Sequence, residues 1–218
     1  HVICDKPLTT TLDDALELVE RVRASGLVFA LTHAYAGYPL VRHARALAAA
    51  GDLGEIRLVQ VEYPQQSYAD LTAEGNGSRA PWRRDPARSG PGGCIADIGT
   101  HAHHLAAFVT GLQLEELLAE ISTFVPGGRV DDDNQILLRY EGGARGMLWA
   151  SKLATGLSNP LRLRVFGTKA GIAWNQENPN ILEFGPLKGE RRLIEAGSAD
   201  LGPEARRATR LKPGHPEG

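Results

Sequence analysis

Residues 90–105 read Gly-Pro-Gly-Gly-Cys-Ile-Ala-Asp-Ile-Gly-Thr-His-Ala-His-His-Leu. Helical spacing from about Ala96 to Thr110 puts Asp97, His101, His104 and Phe108 on one stripe, with Ile98, Ala102, Leu105 and Val109 on the adjoining apolar stripe. Asp97 and His101 stand four residues apart, close enough for both to reach one substrate, while His103 points elsewhere, into solvent. The glycines ahead of the helix let backbone approach a ligand and leave the helix start open to it. Three readings fit: an acid–base pair, a metal site with Asp and His one turn apart, and a helix whose histidines are incidental. A protein-held metal needs further ligands. The one rival acidic cluster, Asp131 to Asp133, reads as a turn before a strand.

Two further segments carry chemistry. Cys-Asp-Lys-Pro, residues 4–7, follows an apolar strand, and ligands of open α/β sheets bind at the carboxyl ends of strands. Lys6 there would stabilise an alkoxide or ease proton transfer, with Pro7 fixing the turn that aims it; the plainer reading is a surface lysine. We expect Lys6 on the wall of a cleft opposite Asp97, His101 and His104. In Ala-Pro-Trp-Arg-Arg-Asp-Pro, residues 80–86, Trp82 would cover an aromatic ring and Arg83 meet an anion, or the tryptophan would merely anchor the loop.

Positioning these residues requires two kinds of architecture. The first part alternates: a strand in His-Val-Ile-Cys, a helix with Leu12, Ala15, Leu16, Val19 and Val22 at helical spacing, and a second buried-type strand over 27–32. Thr11 suits the N-cap, Asp13 and Asp14 the first turn, and Gly26 the stop. Strand, helix, strand is the βαβ pattern of a parallel sheet. Pro39 opens another helix, which Gly51 closes. From Glu55 the texture changes to an alternating strand over 55–63, a long Gly/Pro/Arg-rich loop from about Gln65 to Gly93, the helix above, and then mostly strand and turn. Gly142-Gly143 signals a two-residue hairpin, and a second hairpin turns around Thr168 to Ala170. Sequential hairpins imply a largely antiparallel sheet, so the second part is α+β.

Lys and Arg total 24 against 26 Asp and Glu, a formal charge of −2 that gives no reason to expect nucleic acid or an anionic membrane as partner. The basic run Arg206, Arg207, Arg210, Lys212 lacks interleaved aromatics and reads as a solvated loop. Every apolar stretch is interrupted by Gly, Arg or Asp, short of a membrane span. Cys4 and Cys94 form no CxxC pair and fit a reduced, cytoplasmic setting, with Cys94 a small buried residue. The chain opens on His1, its only methionine is Met147, and it stops in the turn-rich 212–218; we expect a piece of a longer protein.

Taken in order, these segments resemble the glucose–fructose oxidoreductase/inositol dehydrogenase/MocA family. Residues 1–7 resemble its strand followed by Glu-Lys-Pro, with Asp5 in place of glutamate. Residues 38–63 resemble the helix and first strand after the nucleotide domain, residues 90–105 the Gly-Gly, Asp-x-x-x-His helix, residues 167–174 a late hairpin, and residues 214–218 the turn before a final helix. The resemblance implies an α/β Rossmann remnant over residues 1–34, followed over 35–218 by an α+β substrate domain on an open, mainly antiparallel sheet. It implies NAD or NADP as cofactor, though no G-x-G-x-x-G occurs in the chain. It assigns catalysis to Lys6, His101 and Asp97, cofactor contacts to Asp5, Lys6, Pro7, Trp82 and Arg83, and substrate contacts to Tyr35, Asp97, His101 and His104, with no metal. The expected reaction is hydride transfer to or from a secondary hydroxyl or ketone of a sugar, polyol or cyclitol; the alternatives are a metal-dependent isomerase or hydrolase using Asp97, His101 and His104, and a non-catalytic relative of the family. The expected assembly is a homo-oligomer formed through the open sheet face.

Overall fold

A computed structural model describes residues 1–71, 81–210 and 212–215. The middle of the long loop (72–80, including Ala80 of the tryptophan motif) and the closing residues 216–218 of the terminal turn lie outside the described residues.

Strand β1 (Val2–Asp5) and strand β2 (Phe29–Thr32) pair in parallel, Val2 opposite Phe29, and are joined by helix α1 (Leu12–Ser25). The Thr11 hydroxyl accepts the Asp14 N–H, and Gly26 ends the helix at φ 62°, the left-handed cap that glycine adopts without strain. No residue of α1 is buried, and Leu12, Leu16, Val2 and Ile3 are exposed. The apolar face of this unit has no cover among the described residues.

A short 3₁₀ turn (Ala34–Gly37) leads into α2 (Pro39–Ala49), β3 (Ile56–Pro64), the one-turn helix α3 (Pro86–Ser89) and the histidine-bearing helix α4 (Thr100–Thr110). Strands β4 (Leu114–Ser122), β5 (Asp133–Tyr140), β6 (Arg145–Ser151), β7 (Arg162–Gly167), β8 (Ala170–Asn175), β9 (Ile181–Pro186) and β10 (Arg192–Glu195) follow, and then helix α5 (Pro203–Ala208). Among the described residues they form an eight-stranded sheet ordered β10-β9-β8-β7-β3-β6-β5-β4. Every pairing is antiparallel except β3 with β6. That exception matters for the site, because two parallel neighbours end side by side, here with Pro64 opposite Ser151.

Period-two alternation sorts the two faces of the sheet. Val59, Val61, Tyr63, Leu138, Leu148, Ala150, Leu163 and Val165 point inward, on the face that α4 covers; α2 packs beside α4 over β8 and β9, and α5 packs on α2. The apolar stripe of α4 meets them: Ile98, Ala102, Leu105 and Val109 are all buried, while His103 is exposed. Each large aliphatic residue buried this way contributes about 1.5–3 kcal/mol. The opposite face is open, and the register runs a row across it from Leu118 through Leu137 and Met147 to Gln60 and Arg164.

Three local expectations need correction. The loop at Gly142-Gly143 is a three-residue connection, with Glu141 joining the turn and the Tyr140 N–H bonded to the Ala144 carbonyl. Both glycines hold positive φ, 79° and 98°, so the turn chemistry was visible but its length was not. Part of the basic run is helical: Pro203 starts α5, Ala205 packs in the core, and Arg206 donates to the Leu201 carbonyl at 2.7 Å. Helix α4 opens with a π turn, Ile95–Gly99, in which the Thr100 N–H bonds back to the Ile95 carbonyl. Gly99 permits this crowding, since a Cβ there would lie 2.5 Å from Ile95 Cδ1. Wide turns of this kind recur at functional sites.

Candidate active site

Three cations converge on Asp97. Lys6, just past the carboxyl end of β1, donates from Nζ to Asp97 Oδ1 at 2.8 Å and to the Asp97 carbonyl at 2.5 Å. Lys152, just past the carboxyl end of β6, donates to Oδ2 at 2.6 Å. The Arg83 guanidinium lies 3.6 Å from the same oxygen. Lys6 and Asp97 were expected across a cleft from each other; instead they are in direct contact. Burial pushes the Asp97 carboxyl up, but Lys152 and Lys6 outweigh it and hold it well below the usual carboxylate range. Burial likewise pulls Lys152 down, and Asp97 more than restores it, leaving the ammonium above its ordinary value.

One turn along, His101 packs its ring edge-on against Tyr35, centroids 4.8 Å apart, and lies 5.8 Å from His33 and 6.3 Å from Tyr63. The Tyr35 and Tyr63 hydroxyls meet at 2.5 Å, and Tyr63 donates onward to Asn159 Oδ1 at 2.8 Å. His33 and His104 stack face to face at 3.9 Å, and His104 continues onto Phe108 at 5.9 Å. Burial, and then the Lys6 charge, push His101 down to about 4; burial and then His33 and His103 do the same for His104. Burial and then Lys6 lower His33 as well, and its Nδ1 is buried without a hydrogen-bond partner among the described residues. All three rings are therefore neutral at neutral pH, each with a nitrogen able to accept a proton.

The glycine-rich start of this helix is not open to a ligand. The Asp131 carboxylate accepts the Gly93 N–H at 2.5 Å and the Ile95 N–H at 2.7 Å, and also the Asn134 side-chain amide at 2.6 Å. Gly93 is needed for another close approach: a Cβ would lie 2.4 Å from the Asp131 carbonyl oxygen. The acidic cluster is indeed a turn before β5, but it is a buried structural one, in which Asp132 accepts the N–H groups of Phe124 and Val125. Cys94 is buried, and burial raises its thiol pKa, which makes it an inert packing residue. Among the described residues, no group of three or more His, Cys, Asp or Glu side chains is arranged to hold a metal ion.

The remaining expected site residues lie on the same rim. Asp5 accepts the Thr32 hydroxyl at 2.6 Å and the Lys6 N–H at 2.9 Å, tying the ends of β1 and β2 together. The Thr32 and Lys6 hydrogen bonds hold its carboxyl below the ordinary value. The Lys6–Pro7 peptide is cis. Trp82 is 44% exposed, with the Arg83 guanidinium 5.4 Å from its ring centroid.

Sequence reasoning missed Lys152, Tyr63 and His33. The signals were present. Leu148 and Ala150 alternate inward along β6, so the next inward position falls on Lys152; Val59, Val61 and Tyr63 do the same along β3. His33 follows the carboxyl end of β2 directly.

Residues 41–173 match the family model for the GFO/IDH/MocA C-terminal domain. The chain belongs to the GFO/IDH/MocA family. Among solved family structures, an inositol dehydrogenase homologue of Azotobacter vinelandii complexed with NAD+ superposes with a TM-score of 0.94 at 35% identity, over 100% of this chain and 56% of that one. The same homologue, complexed with NADH and myo-inositol, gives 0.91 at 33%, over 100% of this chain and 55% of that one. An oxidoreductase of Sinorhizobium meliloti gives 0.88 at 43%, over 100% and 57%. Levoglucosan dehydrogenase of Pseudarthrobacter phenanthrenivorans is 27% identical over 217 residues, 88% of this chain and 54% of its own. The chain thus spans about half the length of the curated relatives it matches.

Proposed function

We propose that this chain is the substrate-binding and proton-transferring part of a nicotinamide-dependent dehydrogenase acting on a secondary hydroxyl, or the matching ketone, of a polyol, sugar or cyclitol. Residues 1–34 would complete a dinucleotide-binding domain and residues 35–218 form the substrate domain. The observation that carries this reading is the direct contact of Lys6 with Asp97, one turn from a neutral His101. It brings a cation from the end of β1 together with a carboxylate and a proton acceptor from the helix and its opening turn.

The chain's residues fit the reactive end of a nicotinamide dinucleotide. Trp82 offers an exposed ring, Arg83 a cation beside it, and Lys6 a donor between β1 and the helix. Asp5, Lys6, Pro7, Trp82 and Arg83 would hold that end. When bound, the nicotinamide takes or gives the hydride. His101 takes the hydroxyl proton. Lys6 stabilises the charge that develops on that oxygen, and Asp97 keeps Lys6 in place while binding the substrate. Tyr35 and His104 line the space where the substrate's other hydroxyls would lie.

Polyhydroxylated molecules bound in solved relatives, myo-inositol and levoglucosan, favour the same class here, and NAD+ or NADH is named in both solved complexes from Azotobacter vinelandii. The open face of the sheet, with Leu118, Leu137 and Met147 exposed, is where copies would associate. Two unpaired cysteines fit a reducing, cytoplasmic setting; among the described residues no helix is long and apolar enough to cross a membrane.

Steady-state kinetics on the full-length protein, with myo-inositol, levoglucosan and L-sorbose as the substrate panel, tests the assignment. His101→Ala should lower kcat by roughly 10²–10⁴-fold, the usual worth of general acid–base catalysis, and leave NADH affinity nearly unchanged. A His101→Ala enzyme with near-normal kcat would end the proposed role.

A further inference from the structure

Lys152 has no part in the reaction as proposed above, yet among the described residues its side chain is one of the least accessible polar groups, with 3% of the residue exposed. An ammonium group in such a place is costly unless it is paired. Its surroundings are built from three segments. From the helix start, Asp97 Oδ2 accepts at 2.6 Å; from the loop after β3, the Tyr68 ring lies 4.6 Å from Nζ and its hydroxyl 3.4 Å away. The backbone is fixed on both sides, since the Lys152 N–H donates to the Asp132 carbonyl at 2.9 Å and its own carbonyl accepts the Tyr68 N–H at 2.8 Å. A lysine kept only for solubility would not be enclosed like this.

The two lysines hydrogen-bond different oxygens of Asp97, Lys152 at Oδ2 and Lys6 at Oδ1, while the more exposed Arg83 lies farther off, 3.6 Å from Oδ2. We propose that Lys152 is a positioning residue for the active site, a buried cation that pairs with the Asp97 carboxylate and turns it so that its other oxygen holds Lys6 beside His101. The inference rests on the dehydrogenase reading for its consequence in turnover, and on geometry alone for the state of Asp97.

The charge balance gives the expected direction. Besides Lys152, the groups facing Asp97 are Lys6 from the end of β1, the half-exposed Arg83 from its loop, His101 from its own helix, and Tyr63 from β3. Two of these are cations, and both are more accessible than Lys152. Without Lys152, burial of Asp97 acts against weaker opposition, so the carboxyl should titrate at higher pH. The freed carboxylate can also rotate, which loosens Lys6.

The test uses the full-length protein labelled with carboxyl-13C aspartate, the Asp97 signal being identified by its loss in Asp97→Asn. Lys152→Met removes the charge and keeps the bulk. Lys152→Gln keeps a donor without charge, and covers the case in which the methionine variant does not fold. In both, Asp97 should titrate at least one pH unit higher, about a tenfold gain in proton affinity. Because Lys6 is loosened, kcat should fall at least about tenfold, with NADH affinity within about twofold. Lys152→Arg should restore most of each quantity. A lysine with a merely structural role would lower Tm without moving the titration. Asp97 titrating as in the parent protein, in whichever of the methionine and glutamine variants folds, overturns the proposal. If the titration moves but the parent protein turns over no member of the panel with NAD or NADP, the positioning of Asp97 stands and the dehydrogenase reading falls.

Discussion

The histidine cluster should make the protein acid-sensitive in a defined window. Folding buries His101 and His104 and brings each down to about 4 from the ordinary 6.5. Below pH 6.5 the unfolded chain takes up protons that the folded chain refuses, so stability falls as pH drops from 6.5 toward 4 and levels off below that. The neutral ring is then favoured in the folded state, by less than the full shift would give because both rings are half-exposed and water screens them, and the slope in mid-window is at most about 1.4 kcal/mol per pH unit for each. Because the two rings share His33 as a neighbour, their joint effect should be less than twice this. Replacing His104 with Phe keeps an aromatic ring on His33 and Phe108 while removing one titrating group. Urea unfolding at half-unit steps from pH 4.5 to 7.5, on parent and variant, reads the difference directly. The His104→Phe protein should have a shallower pH slope by about one proton's worth and be relatively more stable at pH 5 than at pH 7. Parallel stability curves across the window would show that His104 titrates normally, and would refute the burial argument for the cluster.

Asp131→Ala should cost about 3 kcal/mol or more in urea unfolding, because it strands two backbone N–H groups and the Asn134 amide at the start of the active-site helix. Asp131→Asn should cost less, and equal losses in the two variants would count against the capping role. Leu137→Glu, placed mid-row on the open sheet face, should shift the proposed oligomer toward monomer in sedimentation velocity while leaving Tm within about 3 °C. An unchanged sedimentation coefficient would remove that face from the assembly.

Much of this molecule was determined locally, by residues whose roles are fixed by their neighbours in sequence. Thr11 and Gly26 set the ends of α1 because a hydroxyl acceptor and a left-handed glycine are what helix ends require. Alternation in β3, β5 and β6 determined which side chains face the helices, and the stripe of Asp97, His101 and His104 followed from the helical period alone. The tertiary structure decided what those side chains meet. The parallel β3–β6 pair, which no local pattern announces, sets the carboxyl ends of two strands side by side and delivers Tyr63 and Lys152 to the helix from far along the chain. Asp131, which by itself reads as a turn residue, closes the helix start because the fold carries it to Gly93 and Ile95. Lys6 and Asp97, 91 residues apart, form an ion pair whose strength depends on a shared low-dielectric pocket. Sequence types name the donors and acceptors, but distance and burial set their charge states, and those are properties of the assembled fold.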